Sequence, residues 1–573
     1  MALNDGREFK NVRHRHKWVS LLTLGTLAVA LSVVAAGCGG GGNKSSEGTS
    51  TAESGSGGTA SQNAGKTFAT FRVAWNAPDY LDPALTYTVS GWQIIQHVYQ
   101  GLVGYKWTAG PGGATIIPVL AEKLPTISAD GKVYKFKLRD GLKYSNGKPV
   151  KASDFKASIE RLYKVDSPGV GFFSQIAGAD NFAKTKKGSI SGIVTNDSAR
   201  TVEIRLTQPR ADFLYILGIP FAAVLPKNTP ASDQSTKGIP ATGPYMEQSY
   251  KPNRSFVFVR NPNYKELPGV PKGNPDKLVG QIFADDTAAY QSIISNKNNY
   301  MFSTIPTDRL PEAKSKYGDQ LKLYTPANTW YYALNTRVPP FNKLEARQAV
   351  NYAIDRSALV RLFGGLGRTT QNFLPPTYPE YKKINYYTHD VAKAKQLVQK
   401  SGTAGMKVQV WGTNEGLGEK AAEYLSDVLN QIGYKATPKL LSDDVYFTTI
   451  GNQASKAQAV HTDWYQDYPH PLDWFDVLLN GNRITQTHNN NVSNADFPAA
   501  NATIERLKKV TKPTAQTTSQ WAQLDHDYVV KYAAVAPYLN IVGTDFFSKK
   551  VDLSCYYNHV LYQFDWTSIC MSS

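Results

Sequence analysis

Four aspartates and two tryptophans crowd the twenty residues HTDWYQDYPHPLDWFDVLLN, His461 to Asn480. A carboxylate among large rings and prolines has two uses. It can close a turn by accepting bonds from nearby backbone amides. It can also be held half-desolvated to pair with an arriving cation, where loss of water makes a well-oriented charge contact strong. Asp463 and Asp473 read as surface or capping acids. His461, Asp463 and His470 are the nearest approach to a metal cluster, yet their spacing fits no ligand framework, and the histidines read as solvated loop residues. No HExxH, strict GxSxG or phosphate loop occurs, and the GKT beginning at Gly65 has Ala60 where a phosphate loop needs its first glycine. Nothing assembles a nucleophile with a base, so the chain is expected to be no enzyme and to carry neither metal nor cofactor.

The elements around this segment alternate in kind. Tyr134, Phe136 and Leu138 alternate with Lys135, Lys137 and Arg139, the period of a half-buried strand. Asn146-Gly147 is a turn signal, and Ser153 is an N-cap candidate for a helix with Phe155, Ile159 and Leu162 on one face. TVEIRLT (201–207) and SFVFVR (255–260) are further alternating strands. EARQAVNYAIDRSALVRLF and EKAAEYLSDVLNQIG are amphipathic, the second closed by Gly433. MKVQVWGT before that second helix and YKATPKLL after it make a strand, helix, strand crossover. The class is mixed α/β. With 573 residues, 41% of them apolar, the chain has material for two to four domains, each about 100 to 200 residues.

A net charge of +17 suits anionic surroundings, but it is spread, with no long Lys/Arg block and no aromatic RNA-binding signature. No nucleic-acid partner is expected. Residues 1–37 open with a basic stretch, continue as WVSLLTLGTLAVALSVVAA and read as an export signal, although the length alone would also suit a membrane anchor. VVAAGC resembles the lipobox of bacterial lipoproteins, with Ala35 where Leu is usual, and implies acylation of Cys38. Residues 38–67 have no large apolar residue before the fold begins and read as a tether reaching roughly 30 Å. Cys555 and Cys570 are the two remaining cysteines; in an oxidising compartment they form a disulfide, the alternative being two free thiols.

DGKVYKFKLRDGLKYSNGKPVKASDFKASIERL resembles the signature of the peptide/nickel-type solute-binding proteins of ABC importers, the dipeptide- and oligopeptide-binding receptors. LDPALTYTVSGWQIIQHVYQGLVGY, PATGPYMEQSYKPNRSFVFVRNPNY and WYYALNTRVPPFNKLEARQAVNYAIDRSALV are similar to further stretches of that family, in its order. The resemblance implies a two-lobed clamshell: residues 68–325 plus 539–573 as one lobe, including an extra subdomain, and 326–538 as the other. It implies a lipid-anchored monomer on the outer face of the cytoplasmic membrane, of Gram-positive type or else periplasmic, which captures peptides and passes them to ABC permease subunits. In peptide-binding relatives an Asp of this segment meets the ligand's ammonium, which places that role on Asp467, with Trp464 beside it; His470 stands where relatives commonly carry an acid. Tyr87 and Val89 of the opening stretch, and Trp330 and Tyr538 at the expected hinges, are the weaker ligand-contact candidates. The same fold could instead take an oligosaccharide or a nickel complex, or serve an extracellular hydrolase or a signalling lipoprotein.

Overall fold

The computed structural model describes residues 68–572 apart from Glu415, His488 and Tyr562. The export signal, Cys38 and the tether lie outside the described residues.

Two sheets of different topology divide the molecule. A seven-stranded sheet runs in the order Leu321–Tyr324, Gly543–Phe547, Tyr300–Met301, Phe71–Trp75, Lys277–Ile282, Ser255–Arg260 and Tyr245–Lys251. A six-stranded sheet runs Gly367–Thr369, Val535–Ile541, Asn328–Leu334, Ala459–Tyr465, Lys407–Thr413 and Lys435–Leu441. Each covers its own apolar core: Trp75, Phe256 and Trp566 under the first, Tyr332, Leu425 and Trp474 under the second. This is the expected α/β clamshell of two lobes. The extra subdomain of the first lobe is a four-stranded antiparallel sheet, Thr126–Ile127, Val133–Lys137, Thr201–Arg205 and Ile193–Asn196, with a core of its own.

Tyr134 and Phe136 point into that core while Lys135 and Lys137 face solvent, as the alternation requires. The helix that follows, Ala152–Lys164, buries Phe155, Ile159 and Leu162. Its cap differs from expectation: Lys151 occupies the N-cap position, and the carboxylate of Asp154 reaches back to accept from the Lys151 amide at 2.8 Å. Ser153 instead donates to Asp197. The crossover between Lys407–Thr413 and Lys435–Leu441 is present, with parallel strands joined by the helix Gly416–Ile432, and Gly433 takes the φ of +111° that ends it. EARQAVNYAIDRSALVRLF is two helices, Leu344–Ala353 and Arg356–Leu362, because Asp355 caps the second by accepting from the Ser357 amide.

The family-like stretches are bound to one another through buried polar groups. Asp82 of the opening stretch meets Arg161 of the signature helix in a two-pronged ion pair, 2.8 and 2.5 Å, both side chains buried. Asn261 of RNPNY donates to the carbonyls of Gly243 and Ala241 beside TGPY. Arg356 donates to the Thr370, Pro537 and Asn351 carbonyls, and burial lowers its pKa to about 10.

The chain passes between sheets twice. It leaves the first after Tyr324 and enters the second at Asn328; it returns between Ile541 and Gly543. The return comes three residues after the expected Tyr538–Leu539, because Val535–Ile541 stays paired to Gly367–Thr369 up to Ile541. Asn328, fully buried, joins the two passages: its side chain donates to the Pro326 and Ile541 carbonyls and accepts from the Ile541 amide at 2.9 Å. Asn540 donates in turn to the Asn328 carbonyl at 2.7 Å.

The candidate ligand site between the lobes

Asp467 lies just past the end of strand Ala459–Tyr465, on a loop that crosses toward the first lobe. Its partner there is Tyr87, whose hydroxyl donates to Asp467 Oδ2 at 2.5 Å. The first lobe positions Tyr87 through Asp79, whose carboxylate accepts from the Tyr87 amide and from the hydroxyls of Thr86 and Thr88. Thr88 then caps the short helix Val89–Ile95. The Tyr87 ring packs on Trp92, Phe172 and Phe221, so its hydroxyl is aimed across the seam with little rotational freedom.

A cavity of about 70 Å³ lies at this contact, lined by Tyr87, Val89, Trp92, Ala327, Tyr465 and Asp467 among others. It borders the passage at Pro326–Ala327. Burial raises the Asp467 carboxyl above the usual range, and no lysine or arginine offsets that cost among the described residues.

Asp473 is a correction to the sequence reading. It is no surface acid: fully buried in the first turn of helix Leu472–Leu478, it accepts from the Asp467 amide at 2.8 Å and from the Trp464 indole at 3.3 Å. Burial, and then the neighbouring Asp467, raise its carboxyl well above the ordinary range. Asp463 is half-buried in the strand and directly opposite Trp330; burial raises it to about 7.

The histidines are also corrected. His461 sits inside the strand with Nε2 2.7 Å from the Tyr538 hydroxyl, and His470 accepts the Leu472 amide on Nδ1; both are buried. Alternation along Ala459–Tyr465 turns His461 inward, and the Tyr-Pro-His-Pro turn presses His470 onto Trp521. Among the described residues no group of three or more His, Cys, Asp or Glu could hold a metal ion.

The structure thus brings together Tyr87, Val89 and Asp467, with Trp464 behind them. It does not bring Trp330 or Tyr538 to this cavity. Trp330 packs on Phe363 and His461, and Tyr538 is fully buried, stacked on Tyr332. Residues missed in the sequence lie nearby. Tyr468 crosses to the first lobe, its ring fully buried in that lobe's subdomain core and its hydroxyl donating to Asp212 at 2.7 Å. Asp212 is itself paired with Arg210, and the Ala211 amide donates to the Lys508 carbonyl of the second lobe. Spacing could not have revealed this: the partners are 256 residues apart.

Residues 115–486 match the family described as bacterial extracellular solute-binding proteins, family 5, over its middle region. This chain belongs to that family. Membership makes it a binding protein rather than an enzyme. It is 28% identical over 335 residues to the dipeptide-binding protein of Escherichia coli K12, a match taking in 55% of this chain and 59% of that relative. It is 27% identical over 449 residues to heme-binding protein A of Haemophilus influenzae, covering 74% of this chain and 79% of the relative. The same two-lobed fold is seen in the clavulanic acid biosynthesis oligopeptide binding protein 2, with a TM-score of 0.81 at 23% identity over 89% of this solute-binding protein and 96% of that one. Among its described residues no helix is long and apolar enough to cross a membrane. Cys555 and Cys570 are joined in a disulfide, their Cα atoms 5.6 Å apart.

Proposed function

We propose that this solute-binding protein captures peptides between its lobes, with the free amino end of the peptide on Asp467, and delivers them to an ABC permease. The lobes in this reading are residues 68–326 with 543–572, and 327–541. Acylation of Cys38 and the tether that follows would hold the receptor at the outer face of the membrane as a monomer.

The observation that carries the reading is the Asp467 carboxylate: desolvated in the interlobe seam and met only by a neutral hydroxyl, it lacks the cation that would offset its burial. A peptide ammonium supplies that charge and can donate three hydrogen bonds, in place of the single one from Tyr87. A cavity of about 70 Å³ holds about two waters and no peptide, so capture requires the lobes to part and Tyr87 to yield Asp467. The ligand then favours re-closure only through contacts it makes with both lobes. Peptide-binding relatives support the same cargo.

Calorimetric titration with tri- to pentapeptides and their N-acetylated forms tests this. Asp467→Asn is expected to weaken free-amino peptides by tenfold or more, the scale of a charge-assisted hydrogen bond, and to leave acetylated peptides within about twofold. Equal weakening of both would reject the ammonium role.

A further inference from the structure

Beyond the Asp467 cavity, on the other side of Gln466, lies a second and larger chamber of about 350 Å³ that also spans the lobes. Gln466 and Val560 line both cavities, and the Gln466 side chain donates to the Val560 carbonyl at 2.8 Å, forming the wall between them. Tyr215 reaches the chamber from the first lobe; Glu380, His470 and Trp521 reach it from the second. The His470 ring packs against both aromatic residues, its centroid 5.8 Å from that of Tyr215 and 6.0 Å, edge to face, from that of Trp521. Prolines and aliphatic side chains make up much of the remaining wall, and no lysine or arginine lines it; Glu380 is its one formally charged group.

We propose that this chamber is a second binding site, for an apolar ring-bearing amine, with the ring against Trp521 and Tyr215 and the ammonium on Glu380. Three features select that class. The aromatic walls and a volume suited to a ring of six to ten heavy atoms favour an aromatic or alicyclic body, and such faces also attract cations. Glu380 is half-buried, no lysine or arginine pairs with it among the described residues, and burial raises its pKa, so a cation entering the chamber relieves a desolvated acid. His470 adds no competing positive charge. Its Nδ1 accepts the Leu472 amide, so the neutral ring keeps its proton on Nε2, and burial holds its pKa down to about 4. That Nε2–H is free to donate to a hydroxyl or carbonyl on the ligand. A neutral analogue keeps the ring contacts but leaves Glu380 unpaired. An anionic one meets repulsion.

The site is separate from the one proposed for peptides, and the test keeps them apart. The purified chain is titrated calorimetrically with 2-phenylethylamine and, in parallel, with the neutral 2-phenylethanol, for the unaltered protein, Glu380→Gln and Asp467→Asn. The amine is expected to bind at least tenfold more tightly than the alcohol; Glu380→Gln should remove that preference, and Asp467→Asn should leave it within twofold. Equal binding of amine and alcohol, or no amine binding up to millimolar concentration, would overturn the assignment. Loss of the preference in Asp467→Asn but not in Glu380→Gln would move the amine to the other cavity and overturn it equally. The comparison of the two probes on the unaltered chain stands even if a variant does not fold.

Discussion

At Asp467 and Asp473 two carboxyl groups share one buried turn, and each is held above the usual carboxylate range mainly by burial. The same physics recurs away from the seam. Asp525, buried and bonded by the Asn372 side chain and the Phe373 amide, is raised to about 7, and half-buried Glu247 is raised to about 8. An unfolded chain releases these protons near pH 4, whereas the fold keeps them to higher pH. The folded state therefore binds more protons between about pH 4 and 7, and its stability falls as pH rises through that window. Asp212 works the other way: against its burial, Arg210 holds it down to about 2, so its contribution is lost only as pH falls below about 4. Urea midpoints at pH 5 and 7.5 should differ in favour of pH 5, and Glu247→Gln should narrow the gap. A midpoint that climbs between the two would show that these acids do not keep their protons in the fold.

Secondary structure followed local pattern closely wherever the pattern was strong. The strand at Tyr134 and Phe136, the strand Ser255–Arg260 and the crossover around Gly416–Ile432 form where periodicity places them. Capping was less legible. Ser153 and Asp154 both suit the start of a helix, and the choice of Asp154 as the residue that reaches back depends on Tyr144 and the Lys227 amide, which also bond it. The break at Asp355 was hidden because apolar spacing continues across it. The disulfide ties the turn Leu553–Cys555 to the short strand Cys570–Met571, closing a loop of 15 residues. On the chain-entropy model such a loop contributes about 3 kcal/mol. The double variant Cys555→Ser with Cys570→Ser should lose stability on that scale in urea unfolding. An unchanged midpoint would mean the last turns are held by packing alone.

For the molecule as a whole, the hydrogen bonds across the seam include Tyr87 to Asp467, Tyr468 to Asp212, Gln466 to Val560, and the Ala211 amide to Lys508. Tyr468 adds burial to its hydrogen bond: its ring belongs to the second lobe and lies fully inside the first lobe's subdomain core. Burying such a ring is worth about 2 kcal/mol or more. If closure is what retains the ligand, Tyr468→Ala should weaken peptide affinity, by at most roughly thirtyfold, the same energy read as a population shift. The radius of gyration from small-angle scattering should rise in the unliganded variant. An unchanged radius with unchanged affinity would show that Tyr468 packs without governing closure. Asn328 and Asn540, by contrast, bind the two passages between lobes to each other.

By itself the sequence determined the α/β class, the order of the family-like stretches, the cysteine pair and Asp467 as the acid of interest, because each is written in local pattern or in residue type at a matched position. The tertiary structure decided what those residues meet. That Tyr87 answers Asp467, that Asp473 and His461 are buried, that Tyr538 faces a core and that Gln466 divides two chambers all depend on which faces of two separately built lobes are pressed together. Contacts across such a seam join residues hundreds of positions apart, and no periodicity along one chain encodes them.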